Sequence, residues 1–309
     1  MASPRPFTSV TEWHSLDTPR ELTPMPTDRR VPTGVADFDS LAGGIPAGSV
    51  VLLIGEAGAG HQEFALTSAA HLMFHHDEQQ MAQFYLGAAR GNFVIPKGVA
   101  YVSLTRSREQ VLREVEGSFD PLYLEVLERH LTFSDLSGAY FADSVVPSNW
   151  ASTPGSLLSA AATPSPGRFE AGGGPLAALT RAMEETGPSN VLILDSLTDL
   201  IVRRGISTED LLTFVKGLRR RAKTWDGIVY LELSKGVAPS DVEQGIIDSV
   251  DGVLAFTWTA NPLRSSRQRV LVSPKFMPVL AHVPHEHQGR FVIRISALTG
   301  LVTTQYERI

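Results

Sequence analysis

Gly55-Glu56-Ala57-Gly58-Ala59-Gly60-His61-Gln62 is the stretch on which the reading of this chain turns. Val50–Ile54 (VVLLI) precedes it as a short apolar run bounded by glycines, the pattern of a buried parallel strand. Glu63–Phe74 follows with apolar residues at helical spacing. A glycine-rich loop between a buried strand and a helix is the setting of a phosphate cradle, G-x-x-x-x-G-K-[ST]. Gly55 and Gly60 take the motif's glycine positions, with Gly58 between them. In such a loop the backbone N–H groups point inward and the helix adds its positive end. The motif's lysine and hydroxyl residue are missing. His61 stands where an ammonium should meet the phosphates, and Gln62 where a hydroxyl should hold Mg²⁺. Neutral imidazole is a poor substitute for an ammonium, and an amide is a weaker magnesium ligand.

Outward from the loop, strand and helix signals alternate. Val99–Leu104, Leu131–Phe133, Val191–Leu194 and Gly227–Leu233 read as strands. Arg108–Val115, Leu122–Leu127, Leu176–Glu185 and Thr208–Lys223 read as helices. Val253–Thr257, Val270–Ser273 and Phe291–Ile295 are later strands with no long helix between them. The expected class is α/β, with a largely parallel central sheet between helices and an antiparallel C-terminal edge.

The 309 residues carry 43% hydrophobic and 19% charged side chains, enough apolar material for a full core. The expected organisation is one domain over 31–309. Residues 1–30, with five prolines, read as a disordered or surface-lying extension. Residues 147–175, rich in Pro, Gly, Ser, Ala and Thr, read as a disordered loop inserted in that domain. Cysteine is absent, which excludes disulfides, thiolate metal sites and cysteine nucleophiles. A net charge of −6 does not suggest a nucleic-acid binder. No apolar run reaches ~18 residues and no secretory signal is evident, so a cytoplasmic protein without a membrane span is expected. Only five basic residues are lysine: Lys97, Lys216, Lys223, Lys235 and Lys275.

The flanks of the loop carry a family resemblance. Pro32-Thr33-Gly34-Val35-Ala36-Asp37-Phe38-Asp39-Ser40-Leu41-Ala42-Gly43-Gly44-Ile45-Pro46-Ala47-Gly48-Ser49 resembles the lead-in of KaiC/RadA-like proteins of the RecA superfamily. VLILDSLTDL is similar to that family's Walker B strand, with Asp195 at the magnesium-orienting position and Ser196 after it. Ile247–Phe256 is similar to its "ADGV" strand, and Arg269–Lys275 with Phe291–Ile295 to its C-terminal hairpin. Archaeal, including haloarchaeal, KaiC-like proteins are the nearest type. The resemblance implies a RecA-like P-loop fold, ATP or another nucleotide as ligand, and a homo-oligomer or protein partner. It places the candidate binding residues at Gly55, Glu56, Ala57, Gly58, Ala59, Gly60, His61, Gln62 and Asp195. It also implies one or two glutamates that polarise the attacking water, where this chain has Thr105 and Arg106. Lys275 matches an inter-subunit lysine, but the arginine two residues on is Met277 here.

Lysine, hydroxyl and glutamate are thus lost together, and phosphoryl transfer depends on positioning and charge neutralisation. The expectation is a degenerate Walker A motif, Mg²⁺ not bound and no catalytic residue. Function then reads as a non-hydrolysing regulatory or interaction protein with weak or lost nucleotide binding. The alternative is a working ATPase in recombination or signalling, with His61 or a neighbour's residue replacing the lysine. The loop itself has three readings: a plain strand-to-helix connection, a binder without turnover, or a hydrolase. Asp195 could equally cap the next segment, and Glu63 is a first-turn acid favoured by the helix dipole. His282, His285 and His287 match no metal pattern and read as surface histidines. His75 and His76 read as a helix end, Arg219–Arg221 as a solvated face or oligomer contact, and Trp225 and Trp258 as core or interface.

Overall fold

The computed structural model describes residues 29–77, 93–142, 144–151, 174–260, 266–280 and 289–308. The proposed extension up to residue 28, most of the 147–175 insertion (152–173) and the three histidines at 282–287 lie outside them. Of the insertion, Ser148–Ala151 form a short helix, and Pro175 already starts the next one.

The elements run β1 (Arg30–Val31), α1 (Ala36–Ala42), β2 (Ile45–Pro46), β3 (Ser49–Gly55), α2 (His61–Asp77), β4 (Val99–Ser103), α3 (Arg108–Ser118), α4 (Pro121–His130) and β5 (Leu131–Asp135). Then come α5 (Ser137–Phe141), α6 (Ser148–Ala151), α7 (Pro175–Thr186), β6 (Val191–Asp195), α8 (Leu197–Val202), α9 (Thr208–Ala222) and β7 (Ile228–Ser234). The chain continues through α10 (Ser240–Ser249), β8 (Gly252–Ala260), β9 (Arg267–Lys275), α11 (Met277–Leu280), β10 (Gly289–Ser296) and β11 (Gly300–Arg308). A nine-stranded sheet has the order β11-β10-β9-β8-β3-β7-β6-β4-β5. β5, β4, β6, β7, β3 and β8 pair in parallel, and β8 through β11 pair antiparallel. This is the expected class: a parallel sheet between helices with an antiparallel edge.

Burial follows the alternation of the strands. Val51, Leu53, Tyr101, Ile193 and Tyr230 face one core with Phe64, Val115 and Tyr123 from α2, α3 and α4. Val50, Leu52, Leu192, Leu194 and Leu231 face a second core with Met183, Val215 and Ile246 from α7, α9 and α10. Strands covered on both faces must be apolar throughout, which is why VVLLI and VLIL stand out in the sequence.

One reading needs correction. Ile247–Ser249 belong to the end of α10, and the strand starts only at Gly252. The strand read at Val191–Leu194 does end at Asp195, and Leu197 begins α8. A further edge strand, β11, follows β10 and pairs with it. Among the described residues, no helix is long and apolar enough to cross a membrane.

Candidate functional site at the glycine loop

β3 is central and wholly buried, with β7 on one side and β8 on the other. The chain leaves it at Gly55, where the Glu56 N–H donates to Phe256 O at 3.0 Å. It turns through Gly58 (φ 68°) and Gly60 (φ 115°), left-handed conformations that favour glycine. Ala59 N–H closes the turn on Glu56 O at 2.9 Å, and Phe64 N–H makes the first helical bond to Gly60 O. The loop therefore has the strand-turn-helix course of a phosphate loop. Glu63 does sit in the first turn of α2, and His75 and His76 in its last.

His61 and Gln62 turn inward. The imidazole lies against Gly55 so closely that a Cβ on Gly55 would come 2.1 Å from Nδ1. The ring is 7% exposed, and its buried Nδ1 has no partner among the described residues. Burial lowers its pKa below the usual histidine value, against an opposing pull from Asp195. His61 is therefore neutral at pH 7 and supplies no cation to the loop. The Gln62 side chain hydrogen-bonds Glu232, a β7 carboxyl only 2% exposed.

Tyr101, Asp195 and Glu232 lie on the α2 face of the sheet. Ser103 of β4 sits in register with Asp195 of β6, and Glu232 of β7 with Leu53 of β3. Asp195 is almost wholly buried, and its Oδ2 is already taken. Arg106 Nε donates to it at 2.6 Å and the Tyr101 hydroxyl at 2.9 Å. Arg106 Nη2 donates to the same hydroxyl at 2.6 Å, and Nη1 to Glu114 at 2.5 Å. Arg106 N–H donates to Ser103 Oγ at 2.9 Å. Ser107 and Gln110 then form a capping box that starts α3 and fixes the segment delivering the guanidinium. Burial works against the charge on Arg106, but Tyr101 and Asp195 more than offset it. Burial, then Asp195, pushes the Glu232 carboxyl well above the ordinary range, which favours its protonated form. Glu232 Oε2 is buried without a partner among the described residues.

These residues do not fit a magnesium ion. Mg²⁺ asks for oxygen ligands in near-ideal octahedral geometry. Here the acid that would orient it is paired with a guanidinium, and Gln62 is turned onto Glu232. Among the described residues no group of three or more His, Asp or Glu could hold a metal. The structure brings His61, Gln62 and Asp195 to the α2 face of the sheet and places Arg106 on Asp195. Asp195 does not cap the next helix; Ser196 does, through a capping box with Asp199.

Sequence reasoning missed Tyr101 and Glu232. The signal for Glu232 was present: one glutamate in the otherwise apolar run Ile228–Leu233 of a doubly covered strand.

Outside the floor, Trp258 joins the loop, its Nε1–H donating to Ala57 O and its backbone N–H to Glu56 Oε2, both at 3.1 Å. Trp225 is buried in the second core. Arg219 and Arg221 pair with Asp251 and Glu184 of the same chain. Lys275 Nζ donates to the α10 carbonyls of Ile247 (2.7 Å) and Asp248 (3.0 Å), so the lysine caps a helix within its own chain. Met277 is 81% exposed.

No protein-family model matches the sequence, and no curated protein matches it. Solved structures do match. A KaiC-like protein from the hyperthermophilic archaeon Pyrococcus horikoshii OT3 superposes with a TM-score of 0.56 at 18% identity, over 91% of this chain and 100% of that one. The flagellar accessory protein FlaH from Methanocaldococcus jannaschii superposes with a TM-score of 0.55 at 16% identity, over 89% of this chain and 98% of that one. The chain thus has the RecA-like P-loop fold of these proteins, built around a loop with glycines but without the lysine.

Proposed function

We propose that this chain is a non-hydrolysing P-loop protein with a regulatory or interaction role, in which nucleotide binding is weak or lost. One observation carries the reading: Arg106, at the position of the expected glutamate, is ion-paired to Asp195 at 2.6 Å. A guanidinium cannot act as general base, and on Asp195 it stands where the metal would be needed. The neutral His61 and the inward Gln62 point the same way. In this reading the fold serves as an assembly platform for a second copy or another protein. Its domain is taken as 31–309, its place as the cytoplasm, and its subgroup as the degenerate archaeal KaiC-like type.

The test is Mg²⁺-dependent ATP hydrolysis by the purified full chain. The expected rate is background. Turnover that disappears in Asp195→Ala would overturn the proposal. The combined change His61→Lys, Gln62→Thr and Arg106→Glu should create Mg²⁺-dependent nucleotide binding, seen as a larger rise in melting temperature with ATP and Mg²⁺ than with ATP in EDTA.

A further inference from the structure

The floor of the loop and its mouth differ in charge. At the floor, Arg106 covers Asp195. At the mouth, one cation pairs with Glu56 and two more stand against the Trp258 ring. Lys235 Nζ lies 3.1 Å from Glu56 Oε1. Arg269 donates through Nε to Gly58 O at 2.8 Å, and its guanidinium stands 4.6 Å from the Trp258 ring centroid. Arg267, two residues earlier on the same face of β9, stands 5.3 Å from the same centroid. Glu56 is drawn below the ordinary carboxylate range by the Trp258 backbone N–H and then by Lys235.

Among the described residues no carboxylate forms an ion pair with Arg267 or Arg269. A guanidinium offers five N–H donors, and Arg269 uses Nε alone among the described residues. Trp258 orders both arginines by cation–π contact and is itself tied to the loop at Glu56 and Ala57. The cations are thus held beside exposed Ala57 and Gly58, at the open end of a loop whose floor lacks a lysine.

We propose that Lys235, tied to Glu56, together with Arg267 and Arg269, ordered by Trp258, forms at the mouth of loop 55–60 a binding site for a run of phosphates taken without a divalent metal. The proposal rests on the reading above in one respect: Asp195 is occupied by Arg106 and not by a metal. A metal-bound polyphosphate carries less charge to these cations, and Asp195, the carboxylate that would orient its ion, is paired with Arg106. The ligand is either an inorganic polyphosphate or the phosphate tail of a nucleotide.

The experiment titrates the full chain with sodium tripolyphosphate and with ATP, each in EDTA and in excess Mg²⁺, by calorimetry and thermal shift. Tripolyphosphate should bind in EDTA and more weakly in Mg²⁺. ATP should match it, because the phosphates alone are read. Arg267→Glu and Lys235→Glu, both at exposed positions, should each weaken binding by about tenfold, the scale of one charge-assisted bond. Absence of tripolyphosphate binding in EDTA, a requirement for Mg²⁺, binding of ATP alone, or unchanged binding by both variants would overturn the proposal. ATP hydrolysis in the Mg²⁺ arm overturns the non-hydrolysing reading whatever tripolyphosphate does. Failure to bind in EDTA leaves that reading standing.

Discussion

Two buried polar clusters lie along the same helix, α2, and they are built on opposite terms. Around Asp39 the groups are matched. Asp39 Oδ1 accepts from Thr33 N (2.8 Å) and Thr33 Oγ1 (2.9 Å), and Oδ2 from Gly34 N (2.9 Å). His71 Nδ1 bonds Gly34 O and its Nε2 bonds the Tyr123 hydroxyl, both at 2.7 Å. Since a carbonyl only accepts, Nδ1 carries the proton and Nε2 accepts from Tyr123. Around Asp195 one carboxylate oxygen receives two donors, while His61 Nδ1 and Glu232 Oε2 are left over. A fully matched cluster specifies one arrangement of its groups; one with orphans leaves buried polar atoms whose desolvation nothing in the cluster offsets.

The comparison can be broken most severely at Gly34. Its φ is 77°, and a Cβ there would come 2.7 Å from His71 Cβ. Gly34→Ala should lower stability by about 3–4 kcal/mol, from left-handed strain plus overpacking, as read by urea unfolding. Next is Asp39→Asn. An amide nitrogen cannot accept, so at least one donor of Thr33 or Gly34 is stranded in the core. The expected loss is about 2–3 kcal/mol.

The third test uses pH. Burial lowers His71 from 6.5 to about 4. The unfolded chain then binds the extra proton between those values, so the His71 contribution is full above pH 6.5 and lost as pH falls toward 4. Asp39, pushed up to about 7 by burial, contributes with the opposite sign, losing stability as pH rises. The difference between wild type and His71→Gln cancels the Asp39 part. It should shrink by roughly 2 kcal/mol between pH 7 and pH 5 in paired unfolding curves. The smallest effect belongs to the other cluster. Burial favours the protonated form of Glu232, so Glu232→Gln should change stability by less than about 1 kcal/mol. A loss as large as that of Asp39→Asn would show that Glu232 is ionised and that the two clusters are alike.

The strands were legible because burial on both faces leaves an unbroken apolar run, as in Val50–Ile54 and Val191–Leu194. α10 was not. Its apolar end, Ile246 and Ile247, runs into Val250 and Val253, so a strand period and a helix period overlap there. The signal for its start was Pro239 with Asp241 and Glu243 in the first turn. At the site, Arg106 could be read as a misfit for a catalytic base. That it would land on Asp195 depends on β4 lying beside β6, a pairing between residues about ninety positions apart that local pattern does not encode. The Thr33-Gly34 to Asp39 segment shows the converse. Its resemblance was plain from the residues, but its reason, a carboxylate gathering three N–H and O–H donors, is visible only in the fold.

Gly60 is roofed by Ile293, Ile295 and Leu301, which a Cβ on it would meet at 3.3–3.5 Å. Leu301 N–H also bonds Thr67 Oγ1 across 234 positions of sequence. One wall of the loop, over Gly60, is therefore supplied by the last hairpin of the sheet, made by the ribosome long after the loop itself. Until β10 and β11 dock, nascent chains hold the glycines with that wall missing, and closing so long a span is slow. The loop is among the first parts of this sheet to be synthesised and among the last to acquire its final surroundings.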